Sequence, residues 1–175
     1  MTEGHRRIDR IRDPAYVEGL ESLDLDDLRE RRDECLAERE YLSLLRRLVQ
    51  GRAEILKAEL DDRGGGEQAA PLVDRLAQIL SADEHEQSSR GEALRVGVPG
   101  DELSLARRHV ERLVSDAGIS DPAALGDDAL ADAVQVLATE ERSVSDARHQ
   151  VIVTLDALQD ELKRRYKDDP SLALR

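Results

Sequence analysis

Apolar residues recur every seven positions in two long stretches of the chain, which predicts two long α-helices. The first row of such residues is Leu28, Cys35, Leu42, Val49 and Leu56, and the second is Leu130, Leu137, Val144, Val151 and Leu158. Heptad spacing of this kind is typical of coiled coils. We predict helices over residues 25–63 and 129–167, each roughly 58 Å long at about 1.5 Å per residue.

Two shorter helices are predicted between the long ones. Pro71 to Ser81 carries an amphipathic pattern, and a third helix is predicted from a cap at Asp101 to about Ala117. The polar segment 82–100 between them ends in Pro99-Gly100 and predicts a mobile loop. The pattern therefore predicts an all-α fold, with two long helices forming an antiparallel coiled-coil hairpin and two shorter helices between them.

The same reading divides the chain into three parts. Residues 1–24 form an N-terminal segment, residues 25–167 a single helical coiled-coil domain with the flexible loop 82–100, and residues 168–175 a C-terminal tail. We expect the basic, polar stretch Met1–Arg12 to be frayed or to need a partner. Asp127-Asp128 is expected to cap the second long helix.

A sparse polar motif occurs on both long helices, 102 residues apart. The first motif is Arg39, Ser43, Arg46, Gln50 and Glu54, and the second is Glu141, Ser145, Arg148, Ile152 and Asp156. The shared spacing places each motif along one stripe of its helix. We predict that Arg46 and Arg148 lie at equivalent positions on the apolar face. Burying a polar group there costs stability unless it is satisfied, either by carboxylates or by a bound anion.

Two interpretations of the motifs compete. Arg and Glu spaced four apart also form ordinary surface ion pairs, worth about 0.2–0.5 kcal/mol each. Their joint occurrence at equivalent positions favours a site for a two-fold symmetric ligand. Arginine pairs with phosphate through two parallel hydrogen bonds, and a carboxylate can accept two hydrogen bonds from a guanine edge. Cyclic di-GMP is a ligand of this kind.

Composition and charge narrow the function classes. Aromatic residues make up 2% of the chain and charged residues 37%, which favours long helices over a conventional globular core. The net charge of −13 should repel nucleic acid and anionic membranes. It would suit a basic protein partner, although solubility alone could also explain it.

Candidate catalytic and metal-binding chemistry is sparse. The single Cys35 excludes an internal disulfide and a cysteine-based zinc site, and is expected to be a small buried residue. The four histidines are scattered without metal-ligand spacing, and no nucleophile–base set is evident. Neither a membrane-spanning run nor a signal peptide is apparent. We therefore expect a cytoplasmic protein that is not an enzyme and holds no metal.

Residues 13–23, the acidic start of the first long helix and residues 44–52 resemble RsiG, an actinobacterial anti-sigma factor family. That family carries the pattern E-x3-S-x2-R-x3-Q-x3-D on two helices of a coiled coil. The resemblance implies binding of a cyclic di-GMP dimer and sequestration of the sporulation sigma factor WhiG. The residues that it implies for ligand binding are Ser43, Arg46, Gln50 and Glu54 in the first motif, and Glu141, Ser145, Arg148 and Asp156 in the second.

Two positions depart from the family pattern. Arg39 stands where the pattern has Glu, and Ile152 replaces the Gln of the second motif. Two other functions stay open on the sequence. One is a ligand-free coiled-coil adaptor or oligomerisation module. The other, ranked last, is a helical hairpin that inserts into RNA polymerase.

Overall fold

Long helices dominate the computed structural model, which describes residues 3–64, 73–74, 76–78, 99–116 and 122–174. No strand occurs among these residues, so the all-α prediction is confirmed for them. The four α-helices with defined ends are α1 (Glu3–Arg12), α2 (Leu25–Arg63), α3 (Gly100–Asp116) and α4 (Asp127–Asp168). Short 3-10 helices span Pro14–Tyr16, Leu20–Ser22, Pro122–Ala124 and Pro170–Leu174.

The two predicted long helices are confirmed, whereas the coiled-coil hairpin stays a prediction. Helix α2 has the predicted ends, and α4 begins two residues earlier than predicted. Most of the predicted short helix 71–81 and of the loop 82–100 lies outside the described residues. None of the described helices combines the length and apolar character that crossing a membrane requires.

The start of α4 corrects the predicted cap. Asp127 and Asp128 lie inside the first turn, and the backbone oxygen of Gly126 accepts the hydrogen bond from the amide of Leu130. Carboxylates in a first turn favour the helix because they face the positive end of its dipole. At the start of α2, Asp24 does act as a cap, since its Oδ1 accepts a hydrogen bond from the amide of Asp27 at 2.8 Å.

The predicted apolar rows are buried in both long helices. All ten residues of the two heptad rows are buried. Burying a Leu or Val side chain stabilises a fold by roughly 1.5–3 kcal/mol relative to leaving it exposed. These rows are therefore major contributors to the stability of the fold.

A second, companion row of buried residues completes each apolar face, and Arg46 and Arg148, predicted on that face, lie one residue beyond this row. Leu45 and Ala147 are buried, whereas Arg46 and Arg148 are only partly buried, so the two arginines border the apolar face. Farther along, the buried companions are Ala53 and Leu155, each eight residues on instead of seven. A step of this kind resembles the four-residue insertion that locally unwinds coiled coils. A strict heptad count does not include such a step.

The chain forms two compact units. Unit 1 consists of Met1–Glu40 and Asp146–Arg175, and unit 2 consists of Tyr41–Ser145. Helices α2 and α4 contribute residues to both units.

In unit 1, side chains of α2 and α4 hold the chain ends. The guanidinium of Arg29 donates to the hydroxyl of Tyr166 at 3.1 Å and to the backbone oxygen of Leu172 at 2.7 Å. Hydrogen bonds from Arg164 and Arg165 lower the pKa of Glu161 to about 2.

The N-terminal stretch is ordered into helix α1, so the expectation of a frayed segment is wrong for residues 7–12. Ile8 and Ile11, three residues apart, are both buried. Arg7 donates a hydrogen bond to the carboxylate of Glu38, and Arg10 donates to Glu34 at 2.6 Å. The stretch is polar on average, but its apolar residues share one face of the helix. That face can pack in the fold even though the average composition is polar.

Candidate ligand-binding site

The carboxylate of Glu141 lies at the centre of a polar cluster in unit 2. Its Oε1 accepts hydrogen bonds from Nε2 of Gln50 and from Oγ of Ser145, each at 3.0 Å. The Nη1 atom of Arg46 lies 4.0 Å from the same oxygen. The cluster therefore joins two residues of the first motif to two residues of the second.

Helical spacing places these four side chains together. Arg46 and Gln50 are one turn apart on α2, and Glu141 and Ser145 are one turn apart on α4. A second contact in the unit joins Arg63 to Asp127, with Nη1 and Oδ1 3.2 Å apart. Moving forward along α2 from the first contact to the second means moving backward along α4. In unit 2, the contacts therefore order the two segments in opposite directions.

Two further predicted residues of the first motif also belong to unit 2. Ser43 is buried, with 3% of its surface exposed, so its hydroxyl lies at the apolar face. Glu54 accepts a hydrogen bond from Nζ of Lys57 at 2.7 Å. This lysine lies one turn away on the same helix, so Glu54 is already engaged with a cation from its own segment.

The remaining predicted residues belong to unit 1. Arg148 is partly buried and Asp156 is exposed, both on α4. Arg39, which departs from the family pattern, forms an ion pair with Glu40 at 2.9 Å. Ile152, the other departure, is partly buried. The structure thus brings Arg46, Gln50, Glu141 and Ser145 together, while Arg148 and Asp156 stay predictions.

One contact next to this cluster was not predicted from the sequence. Nε2 of His109 on α3 lies 2.7 Å from Oε1 of Glu140 on α4. Glu140 lies seven residues before the buried Ala147, so the corrected companion row passes through it. The seven-residue spacing could have indicated Glu140, but its histidine partner depends on how α3 packs in the fold.

The cluster combines groups suited to binding. A guanidinium and an amide can donate to anionic oxygens, and a carboxylate can accept from N–H groups of a base. In the part of the chain that the structure describes, no group of three or more His, Cys, Asp or Glu side chains could hold a metal ion. These are the donor and acceptor groups that a ligand bearing both acceptors and donors would need.

A family model described as RsiG-like matches residues 14–80. The match contains the whole first motif and ends before the second. The chain is therefore similar to RsiG-like proteins over these residues, which confirms the resemblance for the N-terminal part. Comparison with curated proteins gives no match.

Proposed function

We propose that this RsiG-like chain is an anti-sigma factor that binds cyclic di-GMP through the two motifs and then sequesters a WhiG-type sigma factor. The RsiG-like match suggests the anti-sigma role. The observation that carries the ligand proposal is the cluster around Glu141, where side chains of both motifs meet. An unrelated pair of surface ion-pair patterns would not require such a meeting.

Binding would exchange partners within the cluster. Arg46 and Gln50 would turn from the Glu141 carboxylate to phosphate oxygens of the ligand, which leaves Glu141 to accept hydrogen bonds from a guanine edge. A ligand shifts a conformational equilibrium only by its differential affinity for the two states. The loaded protein would therefore favour one packing of α2 and α4, and that packing would present the surface that the sigma factor recognises.

Calorimetric titration of the full chain with cyclic di-GMP tests the ligand. Arg46→Ala should weaken binding at least about tenfold, because hydrogen bonds to charged groups contribute about 1.5–3 kcal/mol. Arg142→Ala is the matched control, since Arg142 lies beside Glu141 but is exposed. Equal binding by both variants would exclude Arg46 from the site.

Restoring the missing residue of the second motif gives a test in the opposite direction. Ile152→Gln reinstates the amide of the family pattern, so it should tighten cyclic di-GMP binding. Val153→Gln adds the same group to the next position, which is 56% exposed, and should change nothing. If the two variants bind equally, residue 152 has no role in recognition.

A pull-down with a purified WhiG-type sigma factor, with and without cyclic di-GMP, tests the partner. The proposal requires capture that increases when the nucleotide is added. The ligand-free coiled-coil adaptor predicts that cyclic di-GMP changes neither capture nor the melting temperature.

A further inference from the structure

Helix α1 is a basic amphipathic helix that lies on an acidic segment of α2. Ile8 and Ile11 are buried, with 9% and 2% of their surfaces exposed. Beside them, Arg7 pairs with Glu38, and Arg10 pairs with Glu34 at 2.6 Å. One face of α1 therefore supplies both the apolar contact and the two cations.

The buried carboxylate of Glu38 restricts which side chains can cover this surface. Only 1% of its side chain is exposed, and its carboxylate pairs with Arg7. A buried carboxylate that loses its cation is strongly destabilising, because the charge is left without compensation. A helix that covers Glu38 in place of α1 is therefore favoured when it brings an arginine or lysine to the same place.

Helix α1 depends on this docking for its own helical structure. It has ten residues, and isolated helices shorter than about 12–15 residues are marginal in water. The chain after α1 has its own anchor, because the hydroxyl of Tyr16 lies 2.8 Å from the carboxylate of Glu34 and 3.2 Å from the backbone oxygen of Arg31, and these two acceptors share its one proton. Undocking of α1 therefore need not disturb the 3-10 helix that follows it.

We propose that the face of α2 bearing Glu34 and Glu38 is a docking surface for a basic amphipathic helix. Helix α1 occupies this surface in the free protein, and a partner protein displaces α1 with a helix of the same character. The required pattern is that of α1: two cations three residues apart, each followed by a large aliphatic residue, as in Arg7-Ile8 and Arg10-Ile11. This inference does not depend on the proposed function.

The test uses the full chain and a fluorescent peptide of residues 3–16. Arg7→Glu combined with Arg10→Glu should release α1, because like charges would then face Glu34 and Glu38. Fluorescence anisotropy should show the peptide binding this double variant at least tenfold more tightly than the wild type, whose surface is occupied. The control combines Arg107→Glu with Arg112→Glu, an equal change of charge at two exposed residues of α3, and should behave as wild type.

Three results would overturn the proposal. They are failure of the peptide to bind the double variant, equally tight binding to the wild type, and equal binding of a peptide carrying the same two Arg→Glu changes. If the double variant loses helix content, hydrogen exchange on the wild type provides a separate test. Amides of α1 should then exchange faster than those of residues 31–38, and equal protection would also refute the proposal. Because no nucleotide or sigma factor is used, failure here leaves the proposed function unaffected.

Discussion

Replacing Gln50 with glutamate would test the central contact of the cluster without any ligand. The amide nitrogen of Gln50 lies 3.0 Å from Oε1 of Glu141, so Gln50→Glu would place two carboxylates against each other. Two unit charges about 4 Å apart repel by about 1 kcal/mol in water and about 4 kcal/mol at an effective dielectric constant near 20. Both side chains are partly buried, and the nearby guanidinium of Arg46 offsets part of the repulsion.

The lost hydrogen bond adds to this effect. Hydrogen bonds to charged groups contribute about 1.5–3 kcal/mol when buried, and less when partly exposed. We therefore expect Gln50→Glu to lower the free energy of unfolding by about 2–3 kcal/mol at pH 7. Gln50→Met keeps the size of the side chain and adds no charge, so it should cost only about 1 kcal/mol.

The deficit of the glutamate variant should depend on pH. An unperturbed Glu has a pKa of about 4.3, and repulsion between the paired carboxylates would raise the pKa of one of them in the folded protein. The folded variant then binds more protons than the unfolded chain between pH 4.3 and that raised pKa. Its stability relative to wild type therefore falls as the pH rises through this window.

Urea denaturation followed by circular dichroism, at pH 4 and pH 7, measures the effect. The difference between Gln50→Glu and wild type should shrink toward pH 4, whereas that of Gln50→Met should stay nearly constant. A glutamate variant as stable as wild type at pH 7 would show that the two side chains do not meet in solution.

Three further predictions follow from burial and ionisation. Leu137→Ala should lower the free energy of unfolding by about 3 kcal/mol, whereas Val136→Ala, at a position 42% exposed, should cost below about 1 kcal/mol in the same urea titration. Burial raises the pKa of the Cys35 thiol to about 11, so a thiol reagent at pH 8 should react slowly until urea unfolds the chain, and rapid native reaction would contradict that burial. Because two arginines lower the pKa of Glu161 to about 2, wild type should lose stability relative to Glu161→Gln as the pH falls from about 4.3 toward 2, and a carboxyl pKa above 4 by NMR would contradict this.

Periodicity predicted the long helices well because the burial of each row depends on the spacing within one helix. The rows through Leu42 and Val144 are buried as the heptad count requires. The contact of α1 was beyond this reasoning, since Arg7 and Glu38 are separated by 31 positions along the chain. The local sequence pattern predicts the apolar face of a helix, but not the surface against which a short segment packs.

In the candidate site, too, local spacing was predictable and the packing between segments was not. The repeated spacing indicated both motifs, and the structure brings four of their residues together. The spacing could not indicate that Glu141 would accept hydrogen bonds from both motifs, because that depends on the register between the segments of α2 and α4. The contact between His109 and Glu140 was missed for the same reason, as it depends on the packing of α3.

The step in the companion rows gives the repeated motif a physical meaning. The change from Leu45 to Ala53 on α2 recurs as the change from Ala147 to Leu155 on α4, at the same offset of 102 residues. The two helices therefore repeat a pattern of burial as well as a sequence motif. On each helix the arginine of the motif directly follows the small or aliphatic residue that is buried before the step. An arginine at the border of the apolar face needs no neutralising partner inside the core, and its guanidinium can meet an anion without unpacking the neighbouring row. This arrangement removes the cost that a fully buried arginine would impose on the free protein, and keeps its guanidinium at the border of the apolar face.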